Sequence, residues 1–538
     1  MAADRMTGVA ARSVTPAALK AMLIDGKELA LLDLREELIF SQGHLLHARS
    51  LPLSRLELRM ERLVPRRATR IVLCDGDDGL AERAAAILAR AGYSDVSILA
   101  GGVGGWSAAG YEIFSGVNVP SKAFGEFVEH DSGTPSIGAG ELERMIRGGE
   151  DIVVLDSRPF DEYSRISIPT ATNVPGAELV FRVQDLAPSP KTTVVVNCAG
   201  RTRSIIGAQS LINAGIPNKV VALRNGTMGW TLAGFQCDSG KNRRAGRPSP
   251  DGSAQAFAAA ARVAARFGVK TIDLATLDTW RAQAQARTLY LFDVRDPAEY
   301  EAGHVAGAIS APGGQLVQAT DQYVGTLGAR IVLVDDAAVR AVMTASWLLQ
   351  MGWKDVAVLV ATGTETGFPA SPVLGGAPSV DRALDAAGLA ALMAHGAVTI
   401  VDLSLSRDYR RGHIPGAWFA IRARLAQALA KIPAAENLVL TSEDGVLAAL
   451  AVPEARAAGY GHVRYLSGGN AAWKAGGHAL SADDPRMADE AVDVWLKPYE
   501  RASGVQDAMN EYLTWEVDLL ERIRRDDSVS FHSNAPRR

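Results

Sequence analysis

The sequence predicts an α/β protein built from four tandem copies of one unit, each a central parallel sheet flanked by helices, followed by a helical C-terminal tail. Three observations carry this. An apolar strand ending in Asp recurs four times, at Asp33, Asp156, Asp293 and Asp402. Each recurrence is followed by a second strand, a loop, a helix and a third strand, the order of βαβ units on a parallel sheet. The intervals between successive aspartates are 123, 137 and 109 residues, so each copy is domain-sized.

Within each unit the elements follow in order. Arg stands two residues after the first Asp in three copies (Arg35, Arg158, Arg295), and Ser404 replaces it in the fourth. A Gly-His turn follows at His44, His304 and His413, with Ser167 in that place in the second copy. The second strands read RIVLCD, TVVVNC, RIVLVD and NLVLTS. The third strand runs into a Gly-rich turn and a Trp (Trp106, Trp230, Trp473), which the third copy lacks. Segments rich in Gly, Pro and polar residues separate the units at GVNVPSKAFGEFVEHDSGTP, DSGKNRRAGRPSPDGS and GTETGFPASPVLGGAP. These place the units at 1–117, 118–245, 246–370 and 371–485, with an amphipathic tail at 486–538 expected to dock on one of them.

Composition excludes several classes. A chain of 538 residues with 48% hydrophobic and 22% charged residues reads as an ordinary globular protein. A formal charge of −4 argues against a nucleic-acid binder. No apolar stretch is long enough to span a membrane, and the N-terminus lacks a signal-peptide core, so a cytoplasmic location is expected. Three cysteines, Cys74, Cys198 and Cys237, make neither a disulfide framework nor a zinc site. No metal and no cofactor is expected.

The loops after the second strands single out one unit. The helix behind each loop ends at Ala91, Ala214, Met351 and Ala458, and sixteen residues earlier stand Asp75, Cys198, Asp335 and Ser442. Cys74 falls one position before that column, where the second unit has Asn197, and a one-residue offset at a strand end points the side chain to the other face. Only Cys198 puts a thiol at the head of the loop. A loop curling into a helix N-terminus aims backbone N–H groups and the positive end of the helix dipole at that sulfur. Ala199 and Gly200 allow close backbone approach, while Arg201 and Arg203 add positive charge that favours thiolate and attracts an anion. No histidine is near in sequence, so activation reads as electrostatic, with a distant His still open.

On these residues the chain resembles the rhodanese superfamily over nearly its whole length. The repeated Asp-x-Arg, the turn Gly412 to Ala417 (GHIPGA), the Cys-led loop and the Gly-rich turn with Trp carry the resemblance. It implies four tandem rhodanese-like domains, one catalytic and three inactive. It also implies a thiosulfate sulfurtransferase in which Cys198 carries a persulfide. A donor such as thiosulfate loads the sulfur, and cyanide, a thiol such as glutathione or an acceptor protein removes it. By position, Cys198, Ala199, Gly200, Arg201, Thr202 and Arg203, with Ser204 behind them, form the substrate loop, its two arginines holding the donor's sulfonate. Asp156 and Arg158 match the family's strand-end pair and read as a brace for the loop. Cys237 is a lesser candidate for a resolving thiol.

Three rivals are weighed against that reading. Phosphatases of this fold need Cys, five residues and then Arg; here Arg203 follows after four, and Ser204 sits at the wider spacing. A mercaptopyruvate-specific loop carries few charges, whereas this one has two arginines. A relay or scaffold role for the inactive units is compatible with catalysis: they would shape the cleft over Cys198 and choose the acceptor.

Overall fold

The computed structural model describes residues 12–396 and 398–533. Four mostly parallel sheets lie along the chain. The second runs Ser136–Ile137, Val220–Leu223, Thr193–Asn197, Ile152–Asp156, Thr172–Asn173, every pair parallel. Its central strands are buried on both faces, as their unbroken Val and Leu runs require. The first, third and fourth sheets repeat the order through Ile71–Cys74, Arg330–Asp335 and Asn437–Thr441 respectively.

Two strands extend the basic pattern. Thr326–Leu327 of the third unit pairs antiparallel with Leu29–Asp33 of the first, Thr326 opposite Ala30. Arg486–Met487 adds in parallel to Trp418–Phe419 at the edge of the fourth sheet. The units are fused by packing as well. A single apolar core runs from the second unit into the third, through Leu179, Val180, Ala259, Val263, Trp347 and Leu348. Trp347 Nε1 donates to Ser210 Oγ across that boundary (2.8 Å).

The Asp-Arg pairs are buried braces. Arg158 Nε and Nη2 donate to the two oxygens of Asp156 (2.9 and 2.7 Å), and Nη2 also donates to the Ile166 carbonyl (2.6 Å). Arg35 and Arg295 do the same with Asp33 and Asp293, reaching Gly43 O and Gly303 O. His44 and His304 stack on Phe40 and Tyr300 in the turns that Arg35 and Arg295 hold, and His413 stacks on Tyr409 in the fourth unit, which has Ser404 in place of the arginine. Each Trp is core: Trp106, Trp230 and Trp473 donate Nε1–H to the carbonyl six residues on.

The first expected linker is different. Val119–Ser132 is a 14-residue helix with Pro120 in its first turn, where a missing N–H costs nothing. It packs so closely on the helix Thr202–Ala214 that a Cβ on Gly125 would stand 2.8 Å from Thr202 Cγ2. The tail, expected to be helical from 486, begins instead with the strand Arg486–Met487, is irregular up to a helical turn at Pro498–Glu500 and then forms the helix Val505–Asp526.

Candidate active site

Cys198 follows the strand Thr193–Asn197 directly, and the helix Thr202–Ala214 begins four residues later. The loop is pinned from behind by the helix Gly226–Leu232 of the same unit. The Cys198 carbonyl accepts from Thr227 N (2.8 Å) and Thr227 Oγ1 (3.0 Å), and Ala199 O accepts from Met228 N (2.9 Å). Gly226 has φ +53°, and a Cβ there would overlap the Cys198 carbonyl oxygen and stand 2.7 Å from that of Gly200. Only glycine fits. The Cys198 side chain is buried from the protein exterior but forms part of the wall of a cavity of about 200 Å³. Its thiol donates to Ser204 Oγ (3.5 Å), which in turn donates to Arg201 O (2.8 Å).

The loops of the other three units show what this cradle holds. Asp75 accepts from the N–H groups of Asp77 and Ala81, both at 2.9 Å. Asp335 accepts from Ala337 (3.3 Å), Arg340 (2.8 Å) and Ala341 (3.2 Å), and Ser442 Oγ accepts weakly from Ala448 (3.4 Å). Counted from Cys198, these donors correspond to Gly200, Arg203 and Ser204. Two sister loops thus carry a fixed carboxylate on these backbone N–H groups, whereas in the Cys198 loop the Ser204 N–H turns to Arg201 O (3.1 Å).

The two loop arginines are already engaged. Arg201 is held by both oxygens of Glu126 (2.7 Å each) and by Glu129, all from the helix Val119–Ser132. Arg203 pairs with Glu162 (2.9 Å) and meets Gln315 Oε1 of the third unit (3.4 Å). Burial alone would raise the Glu162 carboxyl, but Arg203 and Lys497 outweigh it and hold it well below the usual carboxylate range. Both arginines line the cavity with their charge shared, and Arg201 also ties the loop to the helix Val119–Ser132. The third unit repeats the second device, since Arg340 occupies the place of Arg203 and pairs with Glu299 (2.6 Å) as Arg203 does with Glu162. A Glu six residues after Asp156 and after Asp293 was the sequence signal for it.

Sequence reasoning also missed the roof. The tail contributes Trp495, Lys497, Tyr499 and Tyr512 to the cavity, and Lys122 comes from the helix Val119–Ser132. Met228, Met509 and Leu513 seal the tail against the loop. Of the other expected residues, Asp156 and Arg158 lie behind the loop: Asn197 Nδ2 donates to Asp156 (3.0 Å), and neither member of the pair lines the cavity. Cys74 takes the place of Asn197 beneath Asp33; it is fully buried, and burial pushes its thiol well up. Cys237 is half-buried against Thr231 (3.7 Å), also with its thiol raised by burial, and is not part of the cavity wall. Among the described residues no group of three or more His, Cys, Asp or Glu is arranged to hold a metal, and no helix is long and apolar enough to cross a membrane.

A strand, a tight loop and a helix N-terminus recurring on four sheets of one order identify a family rather than one enzyme. The chain belongs to the rhodanese family: the model for the Rhodanese-like domain matches residues 15–109, 138–233, 276–365 and 385–476. Over its whole length the chain is similar to the crystal structure of Thiosulfate sulfurtransferase from Pseudomonas aeruginosa. The two share 48% identity over 97% of this chain and 99% of that one, with a TM-score of 0.94. A shorter similarity, 33% identity over 105 residues, is to an HTH-type transcriptional regulator of Mycobacterium tuberculosis; it covers 20% of this chain and 45% of that protein, less than half its length.

Proposed function

We propose that this protein moves sulfane sulfur from a small anionic donor to a thiophilic acceptor through a persulfide on Cys198. The chain is a sulfurtransferase enzyme of the rhodanese family, and its full-length similarity to a thiosulfate sulfurtransferase makes thiosulfate the first donor to test. The observation that carries the site is the comparison of loops: where Asp75 and Asp335 seat a carboxylate on backbone N–H groups, Cys198 presents a sulfur to the same cradle beside a cavity.

The thiolate attacks the outer sulfur of thiosulfate, an S–S bond forms on Cys198, and sulfite leaves with the electron pair of the broken bond. The backbone N–H groups at Gly200 and Arg203 stabilise the negative sulfur at each stage, without reorganisation, because the loop is fixed from behind by Thr227 and Met228. Arg203, with Lys497 sharing Glu162 (3.1 Å), is the cationic edge of the cavity for the sulfonate. Units 1–117, 246–370 and 371–485 carry no thiol in the loop column; the third lends Gln315, Gln318 and Gln322 to the cavity wall, and the tail closes it.

Intact mass spectrometry after incubation with thiosulfate tests the proposal. A gain of one sulfur atom is expected, absent in Cys198→Ser together with cyanide-dependent thiocyanate formation. Persistence of either in that variant moves the chemistry to Cys74 or Cys237. Parallel incubation with mercaptopyruvate and with glutathione persulfide ranks the donors.

A further inference from the structure

The roof of the cavity holds a buried polar cluster that the persulfide chemistry above does not use. Lys122, from the helix Val119–Ser132, and Tyr512, from the tail helix Val505–Asp526, both line the cavity that Cys198 lines. Lys122 Nζ donates to Tyr512 Oη and to Glu516 Oε1 (2.8 Å), and the Tyr512 hydroxyl donates to the same Glu516 oxygen (3.1 Å). Thr202 Oγ1, at the start of the loop helix, completes the set on Glu516 Oε1 (3.3 Å). The Glu516 side chain is fully buried, and its other oxygen, Oε2, has no hydrogen-bond partner. That oxygen and the Tyr512 ring press on the catalytic loop: a Cβ on Gly200 would stand 3.1 Å from Glu516 Oε2 and 3.3 Å from Tyr512 Cε1.

A charged group with an unmatched oxygen in a dry interior is costly unless it has a task. Here it lies one hydroxyl away from the cavity that must admit the sulfur acceptor. Thiosulfate loading moves no proton, whereas a thiol acceptor must lose one before it can attack.

We infer that Tyr512 and Glu516 form a proton relay, positioned by Lys122, that ionises a thiol acceptor at the Cys198 persulfide; this rests on the persulfide reading above. The acceptor's S–H bond breaks, its proton passes to Tyr512 Oη, and the Tyr512 proton passes to Glu516 Oε1. The loaded persulfide takes one proton from solvent to stand as Sγ–SH; the acceptor sulfur forms a bond to its outer sulfur, and the S–S bond to Cys198 breaks with its pair left on Sγ as thiolate. The products are the acceptor persulfide, Cys198 thiolate and protonated Glu516, which returns its proton through Tyr512 as the product leaves. Tyr512 is the catalytic residue, in contact with the cavity; Lys122 is a positioning residue. The charged and titratable groups facing Tyr512 are Glu516 on its own helix, Lys122 on the linker helix, and Cys198 and Arg203 on the loop. The tail residues Lys497 and Tyr499 share the cavity wall.

The relay predicts a split between half-reactions. The full chain is loaded with thiosulfate and then unloaded with 2-mercaptoethanol across a range of pH, following each half-reaction by rapid quench and intact mass. In Tyr512→Phe, unloading at neutral pH falls about a hundredfold, at least ten times more than any fall in loading. The deficit closes as the pH passes the thiol's own pKa, where water already supplies thiolate. Glu516→Gln shows the same split and the same recovery. Equal losses in both half-reactions, or a loss in unloading that persists at alkaline pH, would assign the cluster to structure and overturn the relay. No sulfur gain on Cys198 in the unsubstituted protein would remove the persulfide reading, and the relay with it.

Discussion

The second and third units put nearly the same parts around their loops and reach opposite chemical states. In the third, the head of the loop is Asp335, and its carboxylate is closed off by three backbone N–H groups and the Arg340 guanidinium. Arg340 is 1% exposed and gathers Glu178, Glu299 and Asp336 besides. In the second, Arg203 takes Glu162 in the same way, but the head of the loop is a sulfur open to a cavity. The frame is common to both, so the frame alone makes no catalyst. What differs is the group at the head of the loop, a fixed carboxylate in the third unit and a thiol beside a cavity in the second.

Experiments that break this comparison begin with the frame of the live loop. Gly226→Ala forces a side chain into the Cys198 carbonyl at a positive φ, and displacing the cradle by even a fraction of an ångström should lower sulfur loading about a hundredfold. Loss of under threefold, read by the same mass assay, would show that the loop tolerates movement. Asp335→Ala acts on the other partner. It leaves a buried guanidinium short of one carboxylate and should destabilise the protein by about 3 kcal/mol in urea titration, while persulfide loading at Cys198 continues.

A third comparison uses the turn, where the first unit has His44 and the second Ser167. Burial pushes His44 down to about 4 from an ordinary 6.5. The unfolded chain therefore binds a proton in this window that the folded one refuses, so stability is complete above about pH 6.5 and is lost as pH falls toward 4. At pH 5 the loss is about 2 kcal/mol. His44→Gln should flatten the change in urea midpoint between pH 7.5 and 5, and an unchanged slope would move the acid sensitivity elsewhere. The smallest effect belongs to the fourth unit. Ser442 Oγ makes only a 3.4 Å contact with Ala448 N, so Ser442→Ala should cost under about 1 kcal/mol by the same titration.

Much of this was legible locally. Strands ending in Asp, the register of sixteen residues from loop head to helix end, and the lone thiol at Cys198 depend on short-range pattern, which the chain repeats and so makes self-checking. The segment read as a linker was harder. Gly, Pro and Ser in GVNVPSKAFGEFVEHDSGTP suggest a loop, yet Pro120 starts a helix, and Gly125 is the small residue that lets it touch Thr202. Glu162 carried a signal in its spacing that only its twin Glu299 makes meaningful.

By itself, then, the sequence determined four copies of one sheet-and-helix unit and which copy keeps a thiol at the head of its loop, because hydrophobic period, turn residues and loop position are properties of neighbours in the chain. Only the tertiary structure decided that Arg201 belongs to Glu126 and Glu129, that Thr326–Leu327 completes the first unit's sheet, and that Tyr512 and Glu516 close over a loop some three hundred residues earlier. Those pairings are set by how rigid units dock. Docking depends on the shape and charge of whole faces, and no local period in the chain encodes it.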